Sequence, residues 1–248
     1  MIKRFFWLVL WVAVVAAAAF LQLTVVGFAA DLPVKVAPVN PLFSGYPYAS
    51  HGFYFGLNSF AAAGSAEASA PGLNPNSIIT NQGAIGATFG YVWASPNVFY
   101  AVETMWDFTN LNGAAPGLTL NGPAAFEQRV KIGTPLNNFL SLFPTLGLPT
   151  IPPFPALPNG QVASNIHPYL MGGVHEDAIG LNFMTSSNKV WQISPSIGVG
   201  AMGQLTNGVA IDVWSEVVFA DKSVCVGALA DQCVKQGTKY QVGLGIYY

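Results

Sequence analysis

His175, Glu176 and Asp177 stand side by side, and an imidazole between carboxylates is the raw material of a general base or a metal site. A serine-dependent lipid hydrolase would need its nucleophile, base and orienting acid on one face. Adjacent residues of a strand point to opposite faces, so this triplet suits a strand rim better than a catalytic set. His51 and His167 are scattered along the chain, and no third or fourth ligand stands near His175 and Glu176. Gly198-Val199-Gly200-Ala201-Met202-Gly203 has the Gly-x-Gly-x-x-Gly spacing of a dinucleotide loop, but it lies inside an alternating strand instead of opening a helix. Cys225 and Cys233 are the chain's two cysteines, and they share a turn-rich segment without a nearby histidine. In an oxidising compartment they would form a disulfide, contributing roughly 2–3 kcal/mol in the chain-entropy picture. The expectation is a protein without enzymatic activity, cofactor or metal.

The elements that carry these residues read as strands. Alternation runs over residues 52–60, 83–94, 98–110, 126–133, from Tyr169 onward, 190–202, 209–219 and 240–248. The hairpin of 83–94 and 98–110 around Ser95-Pro96-Asn97 is the clearest. Segments 61–82, 111–125 and 220–237 read as loops of small and polar residues. Parity around Gly172 and Gly173 is ambiguous. In the last segment Tyr240, Val242, Leu244, Ile246 and Tyr248 share one face. An aromatic ends the strand, as at the membrane boundary of a barrel.

Charge then distinguishes the faces. Glu103, Asp107, Glu127, Arg129, Lys131, Asp212, Glu216 and Lys239 all fall on the less apolar parity of their strands. A soluble barrel would turn them outward and bury the aromatics; a membrane barrel does the reverse. Charged residues make up 8% of the chain and apolar residues 52%, with a mean hydropathy of +0.45. Globular domains carry about 25% charge, so the composition favours the membrane barrel. A lipid-facing Arg or Lys at the midplane would cost roughly 2–4 kcal/mol, which places these eight charges in the lumen.

One segment is apolar enough to cross a membrane as a helix. Phe5 to Leu21 is unbroken, after Lys3 and Arg4 and before Gly27-Phe28-Ala29. It reads as a signal peptide over 1–29, cleaved before Ala30, with an uncleaved anchor as the alternative. The nine basic residues less Lys3 and Arg4 leave seven against eleven acidic ones. That mildly acidic balance excludes the basic face that nucleic-acid binding requires.

The expected architecture is all-β: a transmembrane, antiparallel, up-and-down β-barrel of eight strands over 51–248, preceded by the signal peptide and a periplasmic lead-in over 30–50. Eight strands enclose a lumen filled by side chains, with Trp214 and Met105 beside the charged cluster. The last strand should pair with 52–60 to close the ring and leave no edge.

Several short motifs resemble small outer-membrane β-barrel proteins of Gram-negative bacteria, the group of opacity-type porins and surface immunogenic proteins. These are Ala30-Asp31-Leu32-Pro33-Val34-Lys35, Gly52-Phe53-Tyr54-Phe55-Gly56, Pro168-Tyr169-Leu170-Met171-Gly172-Gly173 and Val242-Gly243-Leu244-Gly245-Ile246-Tyr247-Tyr248. The resemblance implies an eight-stranded barrel in the outer membrane with a periplasmic amino terminus. It also implies an assembly machinery that reads the terminal strand at Tyr240, Val242, Leu244, Ile246 and Tyr248. The partners would be outer-membrane lipid, that machinery and extracellular ligands at the loops.

The segment 134–166 departs from the pattern, because the family joins its fourth and fifth strands by a short turn. Three readings stand: a tolerated insertion, an extra hairpin that raises the strand count to ten, or a segment lying at the inner membrane interface or folding into the barrel mouth. Two functions remain open as well. One is a structural or surface-interaction role in the cell envelope. The other is a narrow porin for passive diffusion of small solutes or ions.

Overall fold

The computed structural model describes residues 50–70, 73–95, 97–115, 118–145, 147, 166–183, 186–204, 209–220, 223–226 and 232–248. The expected signal peptide, the expected lead-in up to residue 49 and most of the insertion after residue 145 lie outside them.

Backbone pairing follows the side-chain alternation. The strands are β1 (Ser50–Ala70), β2 (Leu73–Ala94), β3 (Phe99–Ala115), β4 (Leu118–Gly133), β5 (Ile166–Phe183), β6 (Ser186–Gln204), β7 (Ala210–Val218), β8 (Ser223–Val226), β9 (Gln232–Gln236) and β10 (Lys239–Tyr247). A helix, α1 (Leu136–Thr145), stands between β4 and β5. β1 to β7 pair in sequence, β10 pairs with β7, and β10 also pairs with β1. The result is a closed antiparallel barrel of eight strands, with β8 and β9 as a side hairpin.

The closing seam joins Gly56–Ala63 of β1 to Tyr240–Tyr247 of β10. It lies further along β1 than the expected 52–60, and the stagger of the ring explains why. Paired residues can be followed once around from Gly52 through Val92, Ala101, Lys131, Met171, Gly198, Glu216 and Gln241. The path returns at Ala62, ten residues further along β1. With a rise of about 3.3 Å per residue and strands about 4.8 Å apart, that stagger tilts the strands by roughly 40°.

The strands differ in length in a systematic way. β7 and β10 have 9 residues each, whereas β1 has 21, β2 has 22 and β6 has 19. A crossing needs about 9–11 tilted residues. The first six strands therefore continue beyond the membrane band at the end where β1–β2, β3–β4 and β5–β6 turn, here called the hairpin end. This corrects the loops expected over 61–82 and 111–125, which are mostly strand. Beyond the lipid, neither face must be oily, so Ala, Ser, Gly and Asn replace the apolar alternation while the backbone ladder continues. The expected loop over 220–237 likewise holds β8 and β9, and β9 is laid against Ala66–Ser69 of β1.

At the opposite, turn end, α1 occupies the start of the insertion. Pro135 precedes it, where a missing N–H costs nothing, and the Phe139 amide bonds the Pro135 carbonyl at 3.0 Å. Gly147, at φ 71°, follows its last turn and donates to the Pro144 carbonyl. Over these residues the extra-hairpin reading is replaced by a helix, and the two additional strands of the chain are β8 and β9.

Candidate functional site: the charged lumen

Inward residues of β4 recur at every second position, and three of them, Lys131, Arg129 and Glu127, climb the lumen from the turn end. Lys131 anchors the lowest layer of charge, Arg129 with Glu127 the middle one, and Asp177 of β5 the upper one.

Lys131 forms the lowest layer. Its Nζ lies 2.7 Å from Glu103 Oε1 and 2.6 Å from Asp212 Oδ2. Three phenols complete it: Tyr54 donates to Glu103 at 2.6 Å, and Tyr169 and Tyr247 donate to Asp212 at 2.7 and 3.1 Å. The ammonium also lies 4.8 Å from the centre of the Tyr169 ring. This layer ties together β1, β3, β4, β5, β7 and β10.

Arg129 builds the middle layer. It grips Glu127 through Nε at 2.5 Å and Nη2 at 2.8 Å, and the same Nη2 reaches Glu216 at 2.9 Å. Gln241 donates to Glu216 at 2.9 Å, and the guanidinium sits 4.7 Å from the Trp214 ring.

The upper layer centres on Asp177, which accepts from Lys239 and, at 3.1 Å, from Gln82. His175 Nε2 lies 3.0 Å from Asp177, and its Nδ1 lies 3.4 Å from Glu127. A side branch joins Asn58 to Asp107, and Thr88 to Asn58 at 3.1 Å.

All eight charges read from the sequence are buried here: Glu103, Asp107, Glu127, Arg129, Lys131, Asp212, Glu216 and Lys239. Sequence reasoning missed Asp177 and His175. Their signal was present, because Tyr169, Met171, His175 and Asp177 share one parity across the two glycines. Glu176, between them, faces outward. Ser194 lies directly across from His175, but both imidazole nitrogens already face carboxylates, which leaves neither to take a hydroxyl proton. His167 stands apart at the turn end against the Phe99 ring, 5.7 Å away. His51 has no described side chain.

Large lumen side chains fit over glycines. Tyr54 is paired with Gly90, Phe99 with Gly133, Tyr169 with Gly200, Met171 with Gly198 and Trp214 with Gly243. In each pair a Cβ on the glycine would collide with the partner's side chain. The inward glycines of the sequence are thus the seats of its inward rings, and together they fill the narrow interior. Met105 and Trp214 are fully buried among them.

The outer face is the inverse. Phe53, Leu57, Ile85, Trp106, Leu170, Ile197, Leu244 and Ile246 are all exposed, as are Tyr240, Val242 and Tyr248. Aromatics collect in two bands. Phe53, Tyr91 and Trp93 meet edge to face near the turn end, with ring centres 4.7 and 4.4 Å apart. Trp106, Phe108, Phe126, Phe219 and Tyr240 lie toward the hairpin end. A continuous apolar belt between two aromatic girdles around a charged interior belongs in a bilayer, because water would not tolerate it. On the β8–β9 hairpin, Cys225 and Cys233 are directly paired and joined by a disulfide.

No family model matches the chain, and no curated protein matches it. Among solved structures it is similar to Ail, the attachment invasion locus protein of Yersinia pestis, at 9% identity and a TM-score of 0.36, over 79% of this chain and 98% of that one. It is similar to Neisserial surface protein A at 16% identity and a TM-score of 0.38, over 81% and 97%. It is also similar to the N-terminal β-barrel domain of Pseudomonas aeruginosa OprF at 13% identity and a TM-score of 0.30, over 78% and 99%. Likenesses this distant concern barrel architecture alone; the inverted faces and the closed seam are what make the chain a transmembrane β-barrel of the outer-membrane type.

Proposed function

We propose that this protein is a closed outer-membrane barrel with a structural or surface-interaction role in the cell envelope, and no catalytic one. The observation that carries the proposal is the bridging of the lumen at three heights. Lys131 to Asp212, Arg129 to Glu216 and Lys239 to Asp177 each link strands that are not neighbours in the wall. An ion moving through would have to separate buried pairs, at about 3–5 kcal/mol for each one broken. Above the charged layers, the extended wall is lined by Ile78, Leu111, Leu120 and Ile179, all buried, which adds an apolar barrier at the hairpin end.

On this reading the lumen holds the barrel rigid, and the long hairpins carry the function. They stand outside the cell, where ligands would meet β1–β2, β3–β4 and the disulfide-linked β8–β9. The outward residues of β10 serve as the signal for the assembly machinery. The experiment is reconstitution of the folded, heat-modifiable protein in planar bilayers. Silence over a wide voltage range is the expected result. Stable single-channel steps from the unaltered protein would replace this proposal with the narrow-porin one.

A further inference from the structure

Glu176 is the sole Asp, Glu, Lys or Arg on the outward face of the apolar belt among the described residues; Glu67, Lys189 and Lys235 lie on the extended wall and the side hairpin. Its carboxylate forms no hydrogen bond or ion pair with the described residues, and it points away from the lumen cations. A lone carboxylate at the edge of hydrocarbon is costly unless something neutralises it. Its surroundings suggest what does. Phe126 is the cross-strand partner of both Glu176 and Trp106. The Trp106 and Phe126 rings lie 6.3 Å apart. Phe108 and Trp191 complete a recess of about 570 Å³ that opens to the outside of the barrel.

The recess has a local cause in the sequence. The register of β4 slips against both neighbours near Pro123, which has no N–H for the ladder. The residues that follow, Ala124 and Ala125, are small and form its floor between much larger rings. The result is a hollow walled by aromatic side chains, with Glu176 on its rim and Asp107, whose carboxylate is turned into the lumen, behind it.

From this geometry we infer a binding site for a cationic headgroup, the quaternary or primary ammonium of a lipid in the leaflet at the hairpin end. Aromatic faces attract an alkylammonium through the ring quadrupole, and the carboxylate supplies the full counter-charge. The occupant is a membrane lipid because the recess opens at the hairpin-end girdle beside exposed Ile193, the cross-strand partner of Glu176, with exposed Val174 and Ile197 further down the belt, where an acyl chain can lie.

The test uses the full barrel in nanodiscs of phosphatidylglycerol doped with brominated phosphatidylcholine or, separately, brominated phosphatidylglycerol. A Trp7→Phe, Trp11→Phe, Trp93→Phe background leaves Trp106 and Trp191 as the lipid-facing reporters, with Trp214 shielded in the lumen. The choline lipid should quench about three-fold more strongly at equal doping, the size of one exposed charge pair. In Glu176→Gln the preference should fall to the part that the aromatic contact supplies, while heat-modifiable folding persists. Equal quenching by the two lipids in the parent protein overturns the inference, and that arm decides alone if Glu176→Gln fails to fold. An undiminished preference in folded Glu176→Gln also overturns it. So does a preference seen with one copy per disc but lost with two, which would assign the recess to a second copy of the chain.

Discussion

Arg129 on β4 meets Glu216 on β7 at 2.9 Å, across a ring in which β5 and β6 separate the two strands. The same guanidinium holds Glu127 on its own strand with two further bonds. One cation therefore neutralises two buried carboxylates and spans the barrel. Such a pair yields little net stability once desolvation is counted, yet breaking it leaves uncompensated charge inside.

Arg129→Met should accordingly destabilise the barrel by about 3–5 kcal/mol, since both carboxylates lose their partner. Urea unfolding in vesicles measures this. Adding Glu216→Gln should recover part of the loss by removing one orphaned charge. A double variant no more stable than Arg129→Met would contradict the shared-cation account.

Gly243 gives a sharper packing prediction. The Trp214 ring occupies the space where a Cβ on Gly243 would sit, so Gly243→Ala forces the ring off its seat. Overpacking of this kind costs typically about 1–3 kcal/mol. Gly52 has open space at the equivalent atom and is the internal control. Gly52→Ala should leave the unfolding midpoint unchanged, while Gly243→Ala lowers it.

The transmembrane part of this fold was legible because the bilayer forces the contrast. On β3, Tyr100, Val102, Trp106 and Phe108 must meet lipid while Glu103, Met105 and Asp107 face inward, and both charges of the stretch fall on the inward parity. Where the same strand leaves the membrane, over Asn110 to Ala115, the contrast fades and the strand reads as a loop. Asp177 escaped for a related reason: Gly172 and Gly173 carry no side chain to declare parity, so the charges beyond them had no assigned face. The pairing of inward glycines with inward rings depends on register, which the seam and the ten-residue stagger set, and no single strand shows it.

The side hairpin separates stability of the wall from stability of the barrel. Cys225 and Cys233 are paired on β8 and β9, which touch the extended end of β1 and lie outside the ring. Reduction should release roughly 2–3 kcal/mol of local constraint. Proteolysis near residues 223–236 should then quicken at least several-fold, while the gel shift of the folded barrel stays as it was. Loss of that shift on reduction would mean that the hairpin supports the ring itself.

The lumen layers predict how a pore could be made from a closed barrel. Lys131→Ala alone removes the cation between Glu103 and Asp212, but the Tyr54, Tyr169 and Tyr247 hydroxyls still bond those carboxylates and keep the floor in place. Arg129→Ala alone leaves Trp214 across the middle. The combined Lys131→Ala, Arg129→Ala and Trp214→Ala variant opens the middle layer, thins the lowest one to its tyrosines, and leaves Glu103, Glu127, Asp212 and Glu216 without their cations. An unpaired acidic lining admits cations and repels anions. If the triple variant folds, planar bilayers should show cation-selective steps absent from each single variant, and raising the salt should weaken the selectivity by screening. A folded triple variant that stays silent would locate the barrier at the remaining tyrosine floor, the Lys239–Asp177 layer or the apolar Ile78 and Leu120 level, and would move the next substitutions there.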